Sequence, residues 1–413
     1  MAAIETIPYG ATDVEPKTRY SKWRVLMFLL LLGTSYMFNA MDRQVFPALL
    51  GSIRSAYGLT LPQGGLVSTI FTINVAIFAA LSGWFMAKFG RRHVLLGGLI
   101  AYSFFTLATP FASGFVSLTV LRALTGFGEA LQVGAVFACI GGYFGANRGA
   151  AMGAMQTFFG LGAFLGPVLG TRLEAWANGW EISFYVYGAA GIVMALIAAA
   201  TLPRDFTEAG EVVRVARTAS ADEPSIWCRN VVLGSISFGL VGLTFFSYTA
   251  LYASYLHGAL KFSSVDAGSA LGMYGIGAMC GVIGGWIGDR TGHRSIVVAL
   301  LILGSAGYLL FHGFTSFWLH LAMSFVFGLM VSGFLFARFM SVVQRSCAPS
   351  KIGQCGAVAL AAFYLPGPFA GYLFGELVGK VGWSSASLFM VVVPPIVGAL
   401  LMSFVNYSKV RQH

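Results

Sequence analysis

Apolar residues along this chain fall in long runs, and polar residues collect in the short gaps between them. A helical run of about 20 residues rises 1.5 Å per residue and so crosses the ~30 Å of hydrocarbon in a bilayer. The pattern predicts such helices near 24–50, 63–87, 94–112, 117–142, 149–173 and 182–202. A second set is predicted near 230–257, 266–288, 296–314, 317–342, 353–379 and 383–407. The stretch 203–229 between the sets is charged and reads as a cytosolic linker. The expectation is an all-α membrane protein of twelve transmembrane helices in two six-helix pseudo-symmetric bundles, 24–202 and 230–407, with cytosolic tails at 1–23 and 408–413.

Composition changes the picture by exclusion. The 413 residues are 57% hydrophobic and 10% charged, whereas a soluble domain carries about 25% charged residues. A soluble enzyme is therefore set aside. The 53 glycines suit helices that approach closely in lipid. The net charge of +10 would suggest a nucleic-acid partner if it were clustered, but it is spread over short loops. With both termini inside, 19 Lys and Arg lie in or beside cytosolic segments and four (Arg54, Arg172, Lys261 and Lys380) lie outside. That asymmetry sets the orientation. The polar N-terminus, with Lys17, Arg19 and Lys22, lacks the order of a signal peptide. Cys139, Cys228, Cys280, Cys347 and Cys355 form no C-x-x-C and read as core or loop residues. No nucleotide-binding glycine loop or metal cluster appears, so no cofactor is expected and an ion gradient must supply any energy.

The two halves repeat. Gly83-Trp-Phe-Met-Ala87-Lys88-Phe-Gly90-Arg91-Arg92 follows the second run, and Gly285-Trp-Ile-Gly-Asp289-Arg290-Thr-Gly292-His-Arg294 follows the eighth, 202 residues later. Phe115 and Gly126 map to Phe317 and Gly328 by the same offset. Repeated halves place a path between them near the midplane, opened to each side in turn. This loop pattern, G-x-x-x-D-R-x-G-R-R in a twelve-helix chain, resembles that of the major facilitator superfamily over nearly the whole chain. The resemblance implies a major facilitator fold and a gating role for Asp289 and Arg290. Ala87 and Lys88 depart from the pattern in the first copy, which implies a different latch there.

Four charged residues lie well inside predicted spans: Asp42 and Arg43 on the first, Arg122 and Glu129 on the fourth. Each ionised group at that depth costs about 2.5–3.5 kcal/mol on insertion scales, so the four require a reason. Arg122 and Glu129 are seven residues apart, on nearly one face with about 10 Å of rise between them, too far to bond directly. Adjacent Asp42 and Arg43 point about 100° apart, so at most one aims straight into a cavity. Asn39 and Tyr36 continue the Arg43 face. One reading is a salt-bridge network that only pins the first helix to the fourth. The other is functional, with an arginine receiving an anionic group while a carboxyl carries a proton. Both intramembrane cations are arginines, which suit a planar carboxylate.

Asn39-Ala-Met-Asp42-Arg43 and Arg122-Ala-Leu-Thr-Gly126-Phe-Gly128-Glu129-Ala130 resemble the first and fourth helices of the anion:cation symporter branch of that superfamily. The resemblance implies proton-coupled symport of an organic anion such as a sugar acid, aromatic acid or monocarboxylate, across a bacterial-type inner membrane. Asp42 and Glu129 would be the protonatable pair, and Arg43 and Arg122 would serve the substrate or organise that pair. Ala40 stands where Tyr is commoner. Gly153, Gly162, Gly166-Pro167 and Gly170 resemble instead the glycine run of proton-driven drug exporters, and spinster-like lipid carriers share the D-R and G-E-A runs. An exporter of drugs or lysolipids is the alternative. Asn74, Gln132, Gln156, Tyr248, Tyr252, Tyr274 and Tyr364 are candidate cavity residues, with Gln156 among the substrate contacts. Tyr364-Leu-Pro366-Gly-Pro368 must interrupt its helix and reads as a gating hinge. The histidines sit near predicted helix ends and carry no role. A monomer with membrane lipid as its surroundings, and no nucleic-acid partner, is expected.

Overall fold

A computed structural model describes residues 20–144, 148–209, 227–281, 294–348, 351–407 and 410, and among these there is no strand. The first half holds α1 (Lys22–Ala48), α2 (Leu50–Tyr57), α3 (Leu61–Thr69), α4 (Phe71–Phe89), α5 (Arg91–Ala108), α6 (Phe115–Tyr143), α7 (Arg148–Ala177) and α8 (Glu181–Thr201). The single turn α9 (Arg204–Thr207) follows them. The second half holds α10 (Arg229–Gly258), α11 (Ser264–Met279), α12 (Arg294–Phe311), α13 (Phe317–Gly328), α14 (Phe336–Arg345), α15 (Ile352–Tyr364), α16 (Gly367–Ser387) and α17 (Val393–Ser403). Asp289 and Arg290, the expected gating pair, lie outside the described residues.

Ten stretches among the described residues are long and apolar enough to cross a membrane. One of them, Gln354–Ser403, is 50 residues long, more than twice what a single crossing requires. It turns back at Gly382, whose φ of 77° a side chain would resist. α11 has 16 described residues, short of that length.

Local signals set the ends. Ser21 accepts a bond from Arg24 N at 3.4 Å and opens α1. Thr60 and Gln63 form a reciprocal capping box that starts α3, with Pro62 in its first turn. The start of α5 is capped from far along the chain: Glu208 accepts from Arg91 N at 3.1 Å and Arg92 N at 2.9 Å. A carboxylate there complements the positive end of the helix.

The structure departs from hydropathy within several of the predicted runs. The second predicted run is two helices, α3 and α4, separated at Ile70. The tenth run contains a π-helical stretch, Leu329–Leu335, between α13 and α14. The eleventh is interrupted at Leu365–Pro366, between α15 and α16.

The halves repeat in three dimensions as they do in sequence. Gly126 of α6 sits on the Phe71 carbonyl, and Gly328 of α13 sits on the Tyr274 carbonyl, each with no room for a side chain. Glycines also join the halves. Gly65 of α3 lies backbone to backbone with Gly371 of α16, Gly275 of α11 on Gly160 of α7, and Gly268 on Pro167 and Thr171. Thr69 Oγ1 donates across this seam to Pro368 O at 3.3 Å.

Candidate functional site

The four intramembrane charges meet as two ion pairs between α1 and α6. Arg43 Nε lies 2.8 Å from Glu129 Oε2, and Arg122 Nη1 lies 3.1 Å from Asp42 Oδ2. Spacing explains the pairing. Residues 122 and 129 are two turns apart on one face of α6, so each finds its own partner across the helix interface rather than the other.

Neighbours hold the network in place. Thr106 Oγ1 of α5 donates to Asp42 Oδ1 at 2.6 Å. Asn39 Nδ2 donates to Gln132 Oε1 at 2.9 Å, and Gln132 Nε2 donates to Ser35 Oγ at 3.1 Å. Thus α1 and α6 are joined along three turns. Phe71, at the start of α4, lies under both guanidinium groups, 5.7 Å from Arg43 and 5.8 Å from Arg122. Phe46 lies 4.9 Å below Arg122. Aromatic faces attract a cation without neutralising it.

Burial separates the two pairs. The Arg122 side chain is wholly enclosed, with Asp42 2% exposed beside it, whereas Arg43 keeps 11% exposure over an enclosed Glu129. Of the adjacent residues 42 and 43, the arginine is the one turned toward open space. Among the described residues Arg122 Nε and Nη2 make no hydrogen bond, nor does Glu129 Oε1; the Glu129 carboxyl also lies within electrostatic range of Asp42.

Tyr36 and Tyr364 lie within electrostatic range of Arg43, and Tyr364 belongs to the other half. Tyr274, beside Tyr36 and Tyr364, is hydrogen-bonded to Ser332 on the π-helical stretch. Gln156 of α7 reaches the end of α11, its Cγ 3.4 Å from the position a Cβ on Gly281 would take. Arg43, Tyr36, Tyr364 and Tyr274 therefore converge from both halves, with Gln156 on the α7–α11 seam.

Other expected residues serve packing. Asn39 is enclosed between α1 and α6. Asn74 Nδ2 donates to Ala123 O at 2.6 Å, tying α4 to α6. Tyr248 bonds Ser324 at 3.0 Å and Tyr252 bonds His320 Nδ1 at 2.8 Å, all inside the second half. His320, expected near a helix end without a role, is fully buried and also bonds Phe314 O at 2.7 Å. Pro366 and Pro368 flank the break between α15 and α16 immediately after Tyr364. Thr106, Phe46 and Phe71 were not expected; a threonine or phenylalanine in an apolar run carries no mark of the charge it serves. None of the five cysteines is in a disulfide.

The glycine run that suggests an exporter has a packing account. Gly162 and Gly166 rest on the Met37 and Met41 carbonyls of α1, and Gly170 rests on Val45. These glycines bring α7 against the helix that carries Asp42 and Arg43.

The sequence model of the Major Facilitator Superfamily matches residues 32–371. The chain belongs to that superfamily, and it is a membrane transporter rather than an enzyme. It is 26% identical over 412 residues to a probable sulfoacetate transporter of Cupriavidus necator, covering 92% of this chain and 93% of that one. It is 30% identical over 178 residues to a hexuronate transporter of Bacillus subtilis, where the match spans 43% of this chain and 41% of the relative. A bacterial homologue of the human lysosomal transporter Spinster, solved inward-facing and occupied, superposes with a TM-score of 0.77 at 16% identity, covering 95% of this chain and all of that one.

Proposed function

We propose that this transporter is a proton-coupled symporter of an organic carboxylate, working by alternating access. The reading rests on one observation: Arg43, the partly open cation of the site, is paired at 2.8 Å with the enclosed carboxylate Glu129. Two carboxylates and two guanidinium groups make a neutral network. A proton on Glu129 breaks its pair and leaves the site with one net positive charge. One substrate carboxylate on Arg43 restores neutrality, in the planar bidentate geometry that guanidinium favours. Loss of the substrate returns Arg43 to Glu129 and expels the proton, so neither ligand moves alone cheaply. Asp42 and Arg122 fix the geometry from behind, and Tyr36, Tyr364, Tyr274 and Gln156 supply hydroxyl and amide contacts. Relatives named for hexuronate and sulfoacetate, both organic anions, support the class.

On this reading the chain makes twelve crossings as a monomer in a bacterial-type inner membrane. Residues 1–23, 203–229 and 408–413 are cytosolic, the bundles are 24–202 and 230–407, and the seam at Gly65–Gly371 is the outer gate. Pro366, Pro368, Asp289 and Arg290 are the gating residues. Currents on solid-supported membranes, with sugar acids and short carboxylates and with or without a pH gradient, test it. One acid class should give currents, and Arg43→Ala should abolish them. Glu129→Gln should keep exchange of labelled substrate but lose uphill accumulation. Accumulation surviving in Glu129→Gln would falsify the coupling role. Silence to every acid, with pH-driven extrusion of cationic dyes or lysolipids, would establish the exporter instead.

A further inference from the structure

An apolar groove of about 610 Å³ runs between α4 and α5 over a floor from α6, lined by Phe85, Phe89, Val94, Gly97, Phe127 and Leu131. Its volume is that of sites which hold drug-sized molecules. Trp84, Phe89, Ile100 and Phe104 on the same two helices are exposed, so the groove opens on the outer, lipid-facing side. Lys88 and His93 also line it, at the end near Gly90 where Glu208 caps α5. The Lys88 ammonium lies 5.0 Å from the Trp84 ring and 5.3 Å from the Phe89 ring, and makes no ion pair among the described residues. Ala87 precedes it where the repeat carries Asp289, so this copy lacks the adjacent acid. Glu208 is engaged with the backbone N–H groups of Arg91 and Arg92. His93 Nδ1 is bonded to Phe89 O at 2.9 Å, which leaves Nε2 to the groove mouth.

We propose that this groove holds one anionic phospholipid of the linker-side leaflet, its acyl chain along Phe85, Gly97 and Phe127 and its phosphate beside Lys88 and His93. An uncompensated cation at the mouth of an apolar slot matches a lipid that is negative at one end and apolar at the other. The departure of this loop from the repeated motif then has a chemical content: the cation turns outward to lipid rather than inward to an acid of its own loop.

The test is native mass spectrometry of the full chain in detergent, with phosphatidylglycerol or phosphatidylcholine of identical acyl chains. A lysine near an anionic headgroup contributes about five-fold in affinity. The wild type should retain phosphatidylglycerol about five-fold better, and Lys88→Gln should bring the two lipids to parity. Gly97→Leu fills the slot from a position where a Cβ would meet nothing within 4 Å, and should lower retention of both lipids. Thermal unfolding of each variant confirms that it folds. Persistence of the phosphatidylglycerol preference in Lys88→Gln, or unchanged retention in Gly97→Leu, overturns the proposal.

Discussion

The two halves share one scaffold and fill it with opposite chemistry. Separated by the same 202 residues, Asp42, Arg43, Phe46, Arg122 and Glu129 correspond to Thr244, Phe245, Tyr248, Ser324 and Val331. Where Arg122 bonds Asp42 above Phe46, Ser324 bonds Tyr248 at 3.0 Å. Thr244 is spent on Val391 O at 3.4 Å. The helix crossing survives, as Gly126 and Gly328 show, but each of the four intramembrane charges of the first half is a hydroxyl or an apolar group in the second. Charge is thus not needed to hold this crossing together. At this crossing the second half packs without the desolvation penalty that buried ions carry, which is what the proposed ligand role of the first half's charges requires.

The sharpest way to break this comparison is to transplant one half's chemistry into the other. Arg122→Ser alone strands Asp42, and removing one partner of a buried pair costs about 3–5 kcal/mol. Adding Asp42→Thr should recover most of that loss in thermal unfolding of the detergent-purified protein. If the double variant is no more stable than the single one, the pair is doing structural work that the second half achieves some other way.

A smaller effect tests the shared crossing. Gly126→Ala and Gly328→Ala each force a methyl into a neighbouring carbonyl, and overpacking of this kind costs about 1–3 kcal/mol. Similar destabilisation at the two sites is expected by the same assay; a large loss at one and none at the other would mean that the repeat is only approximate in its packing. Smallest of all, Tyr252→Phe removes the hydroxyl bonded to His320, for about 1 kcal/mol. It should leave the pH dependence of transport unchanged, because the proposed mechanism carries the proton in the first half. A shifted pH profile would move part of the coupling into that half.

Much of the fold was readable because hydrocarbon thickness imposes its length on each apolar run. What hydropathy missed was hydrogen-bond register. The break at Ile70 and the π-helical stretch at Leu329–Leu335 leave the apolar pattern untouched. The short helix α2 falls in the gap expected between the first two runs, because eight residues are too few to register as a crossing. At the site, Asp42, Arg43, Arg122 and Glu129 announced themselves because charge in lipid is expensive. Their pairing did not, since it depends on the rotation of α1 against α6. Thr106 was silent in the sequence, being one hydroxyl among many in apolar runs, and Arg122's enclosure could not be told from Arg43's partial exposure until the helices were placed.

The seam between the halves has a consequence for how fast they part. Gly65 and Gly371 meet through bare backbone, and so do Gly160 and Gly275. The ion pairs Arg43–Glu129, Arg122–Asp42 and Lys380–Glu376 each lie within one half. Such a joint resembles a dry bearing more than a clasp. Where glycine meets glycine, no side-chain rotamer must be found again when the joint recloses.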